Sequence, residues 1–194
     1  MRSARLAQGV IIVVLLIALG FTSTAAFAYW QDVTSLGNVQ IEFSGEDATL
    51  EIVELHETFT GKLVPEGRAY FTDEVEEVVL QYQVSISREL ARTMNLIVEA
   101  TQVLIEGDDT YAHLVEITID GSKNKVVRDI FNELVVVTVT VRLIEPIDAA
   151  EAALLGLDPE RVNVEDSVAA YHAIKGKTVT ITLGFGVQPK TNGN

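Results

Sequence analysis

Val78-Val79-Leu80-Gln81-Tyr82-Gln83-Val84-Ser85-Ile86-Ser87 is the stretch whose pattern decides the fold class. Val78, Leu80, Tyr82, Val84 and Ile86 fall on one parity and Val79, Gln81, Gln83, Ser85 and Ser87 on the other, and a period of two sends them to opposite faces of a strand. One face is apolar and the other largely polar, so the strand is half-buried. The pattern recurs along the chain. Val39, Ile41 and Phe43 alternate with Gln40 and Glu42; after a turn at Ser44 to Asp47, Leu50, Ile52 and Leu55 are the inward residues expected of a second strand. Gly61, Pro65 and Gly67 punctuate a loop from Glu57 to Asp73, with a short strand expected at Ala69 to Phe71. Thr93 to Ile105 is apolar on both parities, as in a strand covered on both sides. Gly107-Asp108-Asp109 then turns the chain, and Val115, Ile117 and Ile119 are expected to return as its hairpin partner before a turn at Asp120-Gly121. Leu134 to Ile144 is rich in β-branched residues, and Val179, Ile181, Leu183, Phe185 and Val187 form the last regular strand.

The period changes once. Asp148 with Glu151 three residues on is an N-terminal cap pair, alanines and leucines fill the following turns, and Gly156 sits where that helix should stop. A second helix is expected from Val164 to Ile174, capped by Asn163. Eight or nine strands, one helical insertion and no alternation of strand with helix predict an all-β fold, an antiparallel two-sheet sandwich of jelly-roll type with immunoglobulin-like topology as its rival. The polar residues 189–194 read as a disordered tail.

Upstream of the first strand lie Arg2 and Arg5, an apolar block from Val10 to Leu19, and Ala26-Phe27-Ala28 running into Tyr29-Trp30-Gln31-Asp32. Cations, an apolar run and a small-x-small tripeptide are the parts of a secretory signal peptide, with Ala26, Ala28 and Tyr29 framing the cleavage site. The alternative is a retained anchor, since residues 6–30 carry no charge and are long enough to span a bilayer as a helix. Either outcome places the domain outside the cell, because Arg2 and Arg5 stay on the cytoplasmic side. The expected divisions are a signal segment over 1–28, a leader over 29–43, the domain over 44–188 and the tail.

Removing residues 1–28 from the 194 leaves 166, enough for one domain with a proper core. The whole chain has 14 Lys+Arg against 28 Asp+Glu; without Arg2 and Arg5 the mature part has 12 against 28, a formal charge of −16. Nucleic acid and anionic membrane surfaces would be repelled, so neither is an expected partner, and contact with membrane is limited to residues 6–30 if uncleaved. With no cysteine, neither a disulfide nor a thiolate metal site is available.

Catalytic chemistry finds little to work with. Of the histidines, His56, His113 and His172, only His56-Glu57 begins a zinc-protease motif, and the position four residues after His56 is Thr60. No nucleophile elbow or phosphate loop is present, so no enzymatic activity and no cofactor are expected. Two acidic groups, Asp73, Glu74, Glu76 and Glu77, and Glu106, Asp108 and Asp109, could at most bind calcium weakly, and neither has the spacing of a calcium loop. Long sheets with a free edge invite pairing with another chain. The segment from Tyr29 to Phe43, with Trp30, Val39, Ile41 and Phe43 and a joint at Gly37-Asn38, suits such a role; an ordinary first strand folded onto its own domain is the alternative.

The junction Ala28-Tyr29-Trp30-Gln31-Asp32, followed by Ser35-Leu36-Gly37-Asn38, resembles the start of the TasA/camelysin family, whose signal peptides end in an alanine-aromatic-x-aspartate pattern and are removed by a dedicated signal peptidase. Leu63-Val64-Pro65-Glu66-Gly67 resembles that family's leucine-x-proline-glycine turn, and Gly176 leading into Val179, Ile181, Leu183, Phe185, Val187 and Gln188 resembles its closing strand. Two places depart from the pattern: Ala48-Thr49-Leu50 stands for glycine-threonine-leucine, and Ser87-Arg88-Glu89 for an asparagine-x-glycine turn. The resemblance implies a secreted jelly-roll subunit of extracellular biofilm-matrix fibres, a head-to-tail homopolymer in which the processed N-terminus lies in a neighbour's sheet. On that expectation Tyr29 to Phe43 is the donor strand, and Val179, Ile181, Leu183, Phe185 and Val187 form one wall of the acceptor groove. Camelysins have been described as metalloproteases; the missing second histidine argues against that activity here. A surface module that binds glycan through Glu106 to Thr110 is the alternative function.

Overall fold

A computed structural model describes residues 35–44, 50–55, 59, 61–86, 92–129 and 134–190, with 35–44 described by its backbone alone. The chain divides into units at Met1–Asp32 and Val33–Asn194. The proposed signal segment and residues 29–34 lie outside the described residues, as do His56 and the tail from 191. Among the described residues no helix is long and apolar enough to cross a membrane.

The fold is mostly β-sheet, as the period-two pattern predicts. Its strands are β1 (Ser35–Ser44), β2 (Leu50–Glu54), β3 (Lys62–Leu63), β4 (Glu74–Val75), β5 (Glu77–Ile86), β6 (Met94–Ile105), β7 (Val115–Ile119), β8 (Ser122–Lys123), β9 (Lys125–Asp129), β10 (Leu134–Leu143) and β11 (Thr178–Pro189). Sheet I runs β1-β11-β6-β9, sheet II runs β2-β5-β10-β7-β8, and β3 pairs with β4. Every pairing within sheet II is antiparallel, and so are β11 with β6 and β6 with β9.

Alternation becomes burial. In β5, Val78, Leu80, Tyr82, Val84 and Ile86 are buried while Val79 and Gln81 are exposed; in β10, Val137, Val139, Val141 and Leu143 are buried. From sheet I, Val179, Ile181, Leu183 and Phe185 are wholly buried. The rings of Tyr82 (β5) and Phe185 (β11) meet edge to face, 5.7 Å between centroids and 65° between planes. The two sheets therefore bury their apolar faces against each other, each large side chain contributing about 1.5–3 kcal/mol of transfer free energy. Burial also pushes the Tyr82 phenol well above its usual pKa.

The expected hairpin of residues 93–105 with 115–119 does not form. β6 lies in sheet I between β11 and β9, whereas β7 pairs with β10 in sheet II. A tight turn after Ile105 is present, with Glu106 and Gly107 both at positive φ, but the chain then passes through a short 3₁₀ turn and changes sheet. Asp120-Gly121 does make a hairpin: φ is 47° and 81°, the mirror-image turn that suits strand twist, and Gly121 takes that φ without a Cβ penalty. Ala69 to Phe71 is not a strand; the short strands flank it as β3 and β4.

The helical insertion lies between β10 and β11, as α1 (Ala149–Leu155) and α2 (Ser167–Ile174). Asp148 caps α1, its Oδ1 accepting from the Glu151 N–H at 2.8 Å, and Gly156 ends it in the left-handed region. The cap of α2 is Asp166, not Asn163, and the helix begins later than the sequence pattern predicts. Asn163 instead braces the preceding loop: Oδ1 accepts from Ile147 N–H and Nδ2 donates to the Glu145 carbonyl, both at 2.8 Å. A side chain satisfying two backbone groups of another segment is worth more there than as one cap among several.

Asp148 also ties the helices together, because Oδ2 accepts from the Ser167 N–H at 3.0 Å and its hydroxyl at 2.8 Å. The N–H groups of Glu151 and Ser167 hold its carboxyl down at about 2, against an ordinary 3.8. A depressed carboxyl stabilises the fold above its unfolded pKa, and that contribution is lost as pH falls through the folded value. Asp148→Asn should therefore lower Tm at neutral pH, and the gap to the parent should narrow as pH falls from about 4 toward 2. Thermal melts across that window check this; a gap of constant size contradicts it.

Candidate functional site

β1 pairs with β11 in parallel, and β1 is the edge strand of sheet I. It is the one parallel neighbour in a sheet whose other pairings run antiparallel. Parallel ladders have slanted hydrogen bonds and are slightly weaker per residue. An edge strand is also held on one side only. β1 and β11 are the first and last strands of the described chain, so their pairing closes a loop of nearly the whole domain. Removal of β1 therefore breaks no other pairing within sheet I.

The register aligns Val39 with Ile181, Ile41 with Leu183 and Phe43 with Phe185. The sequence-predicted donor residues and acceptor residues are thus strand neighbours, and here the pairing is made within one chain. Tyr29 and Trp30 lie outside the described residues. Val187, the last predicted acceptor residue, lies beyond the β1 ladder and pairs with Leu96 of β6. Between Leu36 and Val39 the register slips by one, with Gly37 and Asn38 opposite Thr180 alone. A bulge there accounts for the Gly-Asn pair, since an extra residue needs conformational latitude.

The platform beneath β1 is firmly built. β11 has β6 on its other side from Val179 to Pro189, with a slip at Thr182 and Leu183 where Thr101 is the extra residue. Thr101 fills the space beside Gly184: a Cβ there would meet its Cγ2 at 3.0 Å. Its hydroxyl donates to the Thr182 carbonyl at 3.2 Å. The β6 end of the pair is latched by Glu106, whose Oε1 accepts from the Thr178 N–H at 2.8 Å while its own N–H donates to the Thr178 carbonyl. That hydrogen bond lowers the Glu106 pKa. β11 would therefore keep its position with β1 gone, presenting a row of backbone donors and acceptors to another strand.

The part of β10 that lacks a neighbour on the β7 side is covered. β7 pairs with β10 only from Val139 to Leu143. Upstream, Asp120 Oδ1 accepts from the Thr138 N–H at 2.9 Å, Arg128 Nη1 donates to the Val136 carbonyl at 2.9 Å, and Arg128 and Asp120 pair at 2.8 Å. A charged pair over unpaired backbone groups blunts an edge against unwanted strands.

The acidic groups do local work in the described loops. Glu74 is buried and its Oε2 accepts from the N–H groups of Tyr70 and Phe71; Glu76 accepts from Gly67 N–H; Glu77 pairs with Arg142 at 2.6 Å and Asp73 with Lys62 at 3.2 Å. Asp108 accepts from Thr110 N–H at 2.7 Å, which lowers its pKa. Among the described residues no group of three or more His, Asp and Glu side chains is placed to hold a metal ion. His113 is exposed, its Nε2 3.0 Å from the Asn163 carbonyl, and His172 lies against the Tyr171 ring.

No protein-family model, curated protein or solved structure matches this chain.

Proposed function

We propose that this protein is a secreted structural subunit that polymerises into extracellular matrix fibres by exchanging its N-terminal strand with a neighbour. The observation that carries the proposal is the parallel edge pairing of β1 with β11. In the exchanged form β1 of one subunit leaves its own sheet and takes the same place beside β11 of the next, keeping the main-chain ladder. The contact is head-to-tail and does not close on itself, so it propagates. The hinge is short: five residues, 45–49, separate the end of β1 from the start of β2.

Three features support the reading. The signal-like leader precedes β1, so cleavage after Ala28 would free the donor's N-terminus. The junction at Ala28-Tyr29-Trp30-Gln31-Asp32 resembles that of the TasA/camelysin family, which points to biofilm-matrix fibres and to jelly-roll topology for the two sheets. The carboxylates of the described loops cap backbone and pair with cations, a structural use of acidic residues.

Self-pairing is the storage form. A strand tethered by a short linker sees its own groove at roughly millimolar effective concentration, so a dilute subunit stays closed. At a formal charge of −16 per mature subunit, neighbours repel until the charge is screened, and the Debye length falls from ~10 Å at 0.1 M salt to ~3 Å at 1 M. The chain beginning at Tyr29 should therefore form filaments above a threshold concentration, faster with salt, divalent cations or mild acid. Negative-stain electron microscopy with light scattering tests this. Absence of filaments in all three conditions refutes the proposal.

A further inference from the structure

The outer face of sheet II differs from the rest of this acidic chain. Its middle rows hold Val53, Leu55, Val79, Leu134 and Val136, each 40–48% exposed. Around them the outward residues of β5 and β10 are Gln81, Gln83, Thr138 and Thr140, placed opposite one another by the pairings Gln83 with Val136, Gln81 with Thr138 and Val79 with Thr140. Among the described residues of this face, charges sit at the margins: Glu51 at one end, bonded to Ser85 across the strand pair; Glu77 with Arg142 at the other, beside Glu116 of β7; and, along the lateral edge, the pair of Asp120 and Arg128 on the backbone of Val136 and Thr138, and Lys123 of β8. A neutral, partly apolar and nearly flat patch lies on a chain carrying twice as many acids as bases.

We infer that this face is where two copies of the protein meet laterally, sheet II against sheet II. Charge selects the occupant. Two copies repel at every strongly acidic surface, and this neutral face permits close approach without desolvating carboxylates. A twofold axis crossing the strands at the level of Gln81 and Thr138 sets the neutral middle rows of the two copies against each other.

Size sets the strength. Three strands abreast, ~4.8 Å apart, over a run of ~20 Å along β10 make a face of about 300 Å² per copy, less than half the ~800 Å² that a standard stable interface buries on each partner. Free subunits therefore pair weakly. Subunits arrayed in a filament present the face repeatedly, and multivalency turns a weak contact into lateral bundling. The bundling consequence rests on the strand-exchange reading above; the pairing of faces does not.

The chain has no cysteine of its own, so single cysteines report proximity cleanly. Gln81→Cys, at the centre of the face, and Leu154→Cys, 85% exposed on α1, are each treated with a short bismaleimide at equal concentration of the chain beginning at Tyr29. Cross-linked dimer should form at least tenfold faster from Gln81→Cys, and adding Val136→Glu should remove that advantage while leaving the circular dichroism unchanged. Equal rates for the two cysteines, or an advantage that survives Val136→Glu, overturn the inference. In electron micrographs Val136→Glu should leave single filaments unbundled. Loss of filaments altogether from the parent chain counts against strand exchange, and the cross-linking result still decides the face.

Discussion

A chain that starts at Gly45 should form no filaments under conditions in which the chain that starts at Tyr29 does. Removing β1 takes away the donor and leaves the β11 edge without a strand beside it from Val179 to Phe185. A synthetic peptide of residues 29–44 should bind the shortened chain one to one and hold it as a monomer, because the peptide fills the groove without offering another. The same peptide in excess should stop growth of filaments from the longer chain by capping their acceptor ends. Size-exclusion chromatography and electron microscopy measure both effects. Filaments from the chain that starts at Gly45 would eliminate β1 as donor, and growth indifferent to the peptide would eliminate the β11 edge as acceptor. If the shortened chain is unfolded alone, restoration of its circular dichroism by the peptide reports the same contact.

The second large effect is expected in the core. Phe185 is wholly buried on β11, packs edge to face on Tyr82 of sheet II, and stands opposite Phe43 in the β1 register. Phe185→Ala should cost about 3–5 kcal/mol, since a large aromatic leaves a cavity that two stiff sheets cannot close. A domain of this size has about 5–15 kcal/mol in all. Leu154→Ala, on the exposed side of α1, should stay within about 0.5 kcal/mol. Denaturant titrations compare the two. Near-equal midpoints would contradict the packing of sheet I on sheet II through this residue.

Strand exchange alone is close to energetically neutral, because β1 makes the same ladder in either partner. Growth then depends on what else changes: the entropy of a tethered strand, and interactions that form only between arrayed subunits. Pairing through the neutral face of sheet II would be an interaction of the last kind. On the proposed reading, self-paired monomers and bundled filaments would then be separated by concentration and screening.

Much of the fold was legible because period-two alternation reports directly which face is buried. Val78 to Ile86 and Val135 to Leu143 behave as their parity demands; in Val179 to Phe185 the apolar residues do, while Thr182 on the opposite parity is buried as well. Partner choice was not legible. A strand's alternation says which way its side chains point and nothing about which strand lies beside it, so β6 and β7 read as a hairpin although they belong to different sheets. The bias toward local pairing also hid β9: Lys125 to Asp129 has only Val126 and Val127 as apolar residues, and its place beside β6 depends on long-range contacts. For Asn163 the cap pattern was real but ambiguous, since Asp166 has the same chemistry three residues on.

The candidate site was half legible. A donor-like leader and an acceptor-like final strand could be named from composition and resemblance. The parallel sense of their pairing, its place at the edge of an antiparallel sheet and the bulge at Gly37-Asn38 depend on register, which no local pattern encodes. The neutral face of sheet II was in view as the outward parity of β5 and β10. It becomes distinctive only when the topology sets those strands side by side.

The most direct measurement is cross-linking between differently marked subunits. Gln40 of β1 and Thr182 of β11 are register partners. A chain carrying only Gln40→Cys is mixed with a chain carrying only Thr182→Cys, both starting at Tyr29, assembled and mildly oxidised. Strand exchange predicts disulfide-linked heterodimers in the filament fraction and none in the dilute monomer. Filaments that yield no such heterodimer, while a single chain carrying both cysteines closes its own bridge, would show that β1 never leaves home and would contradict the mechanism.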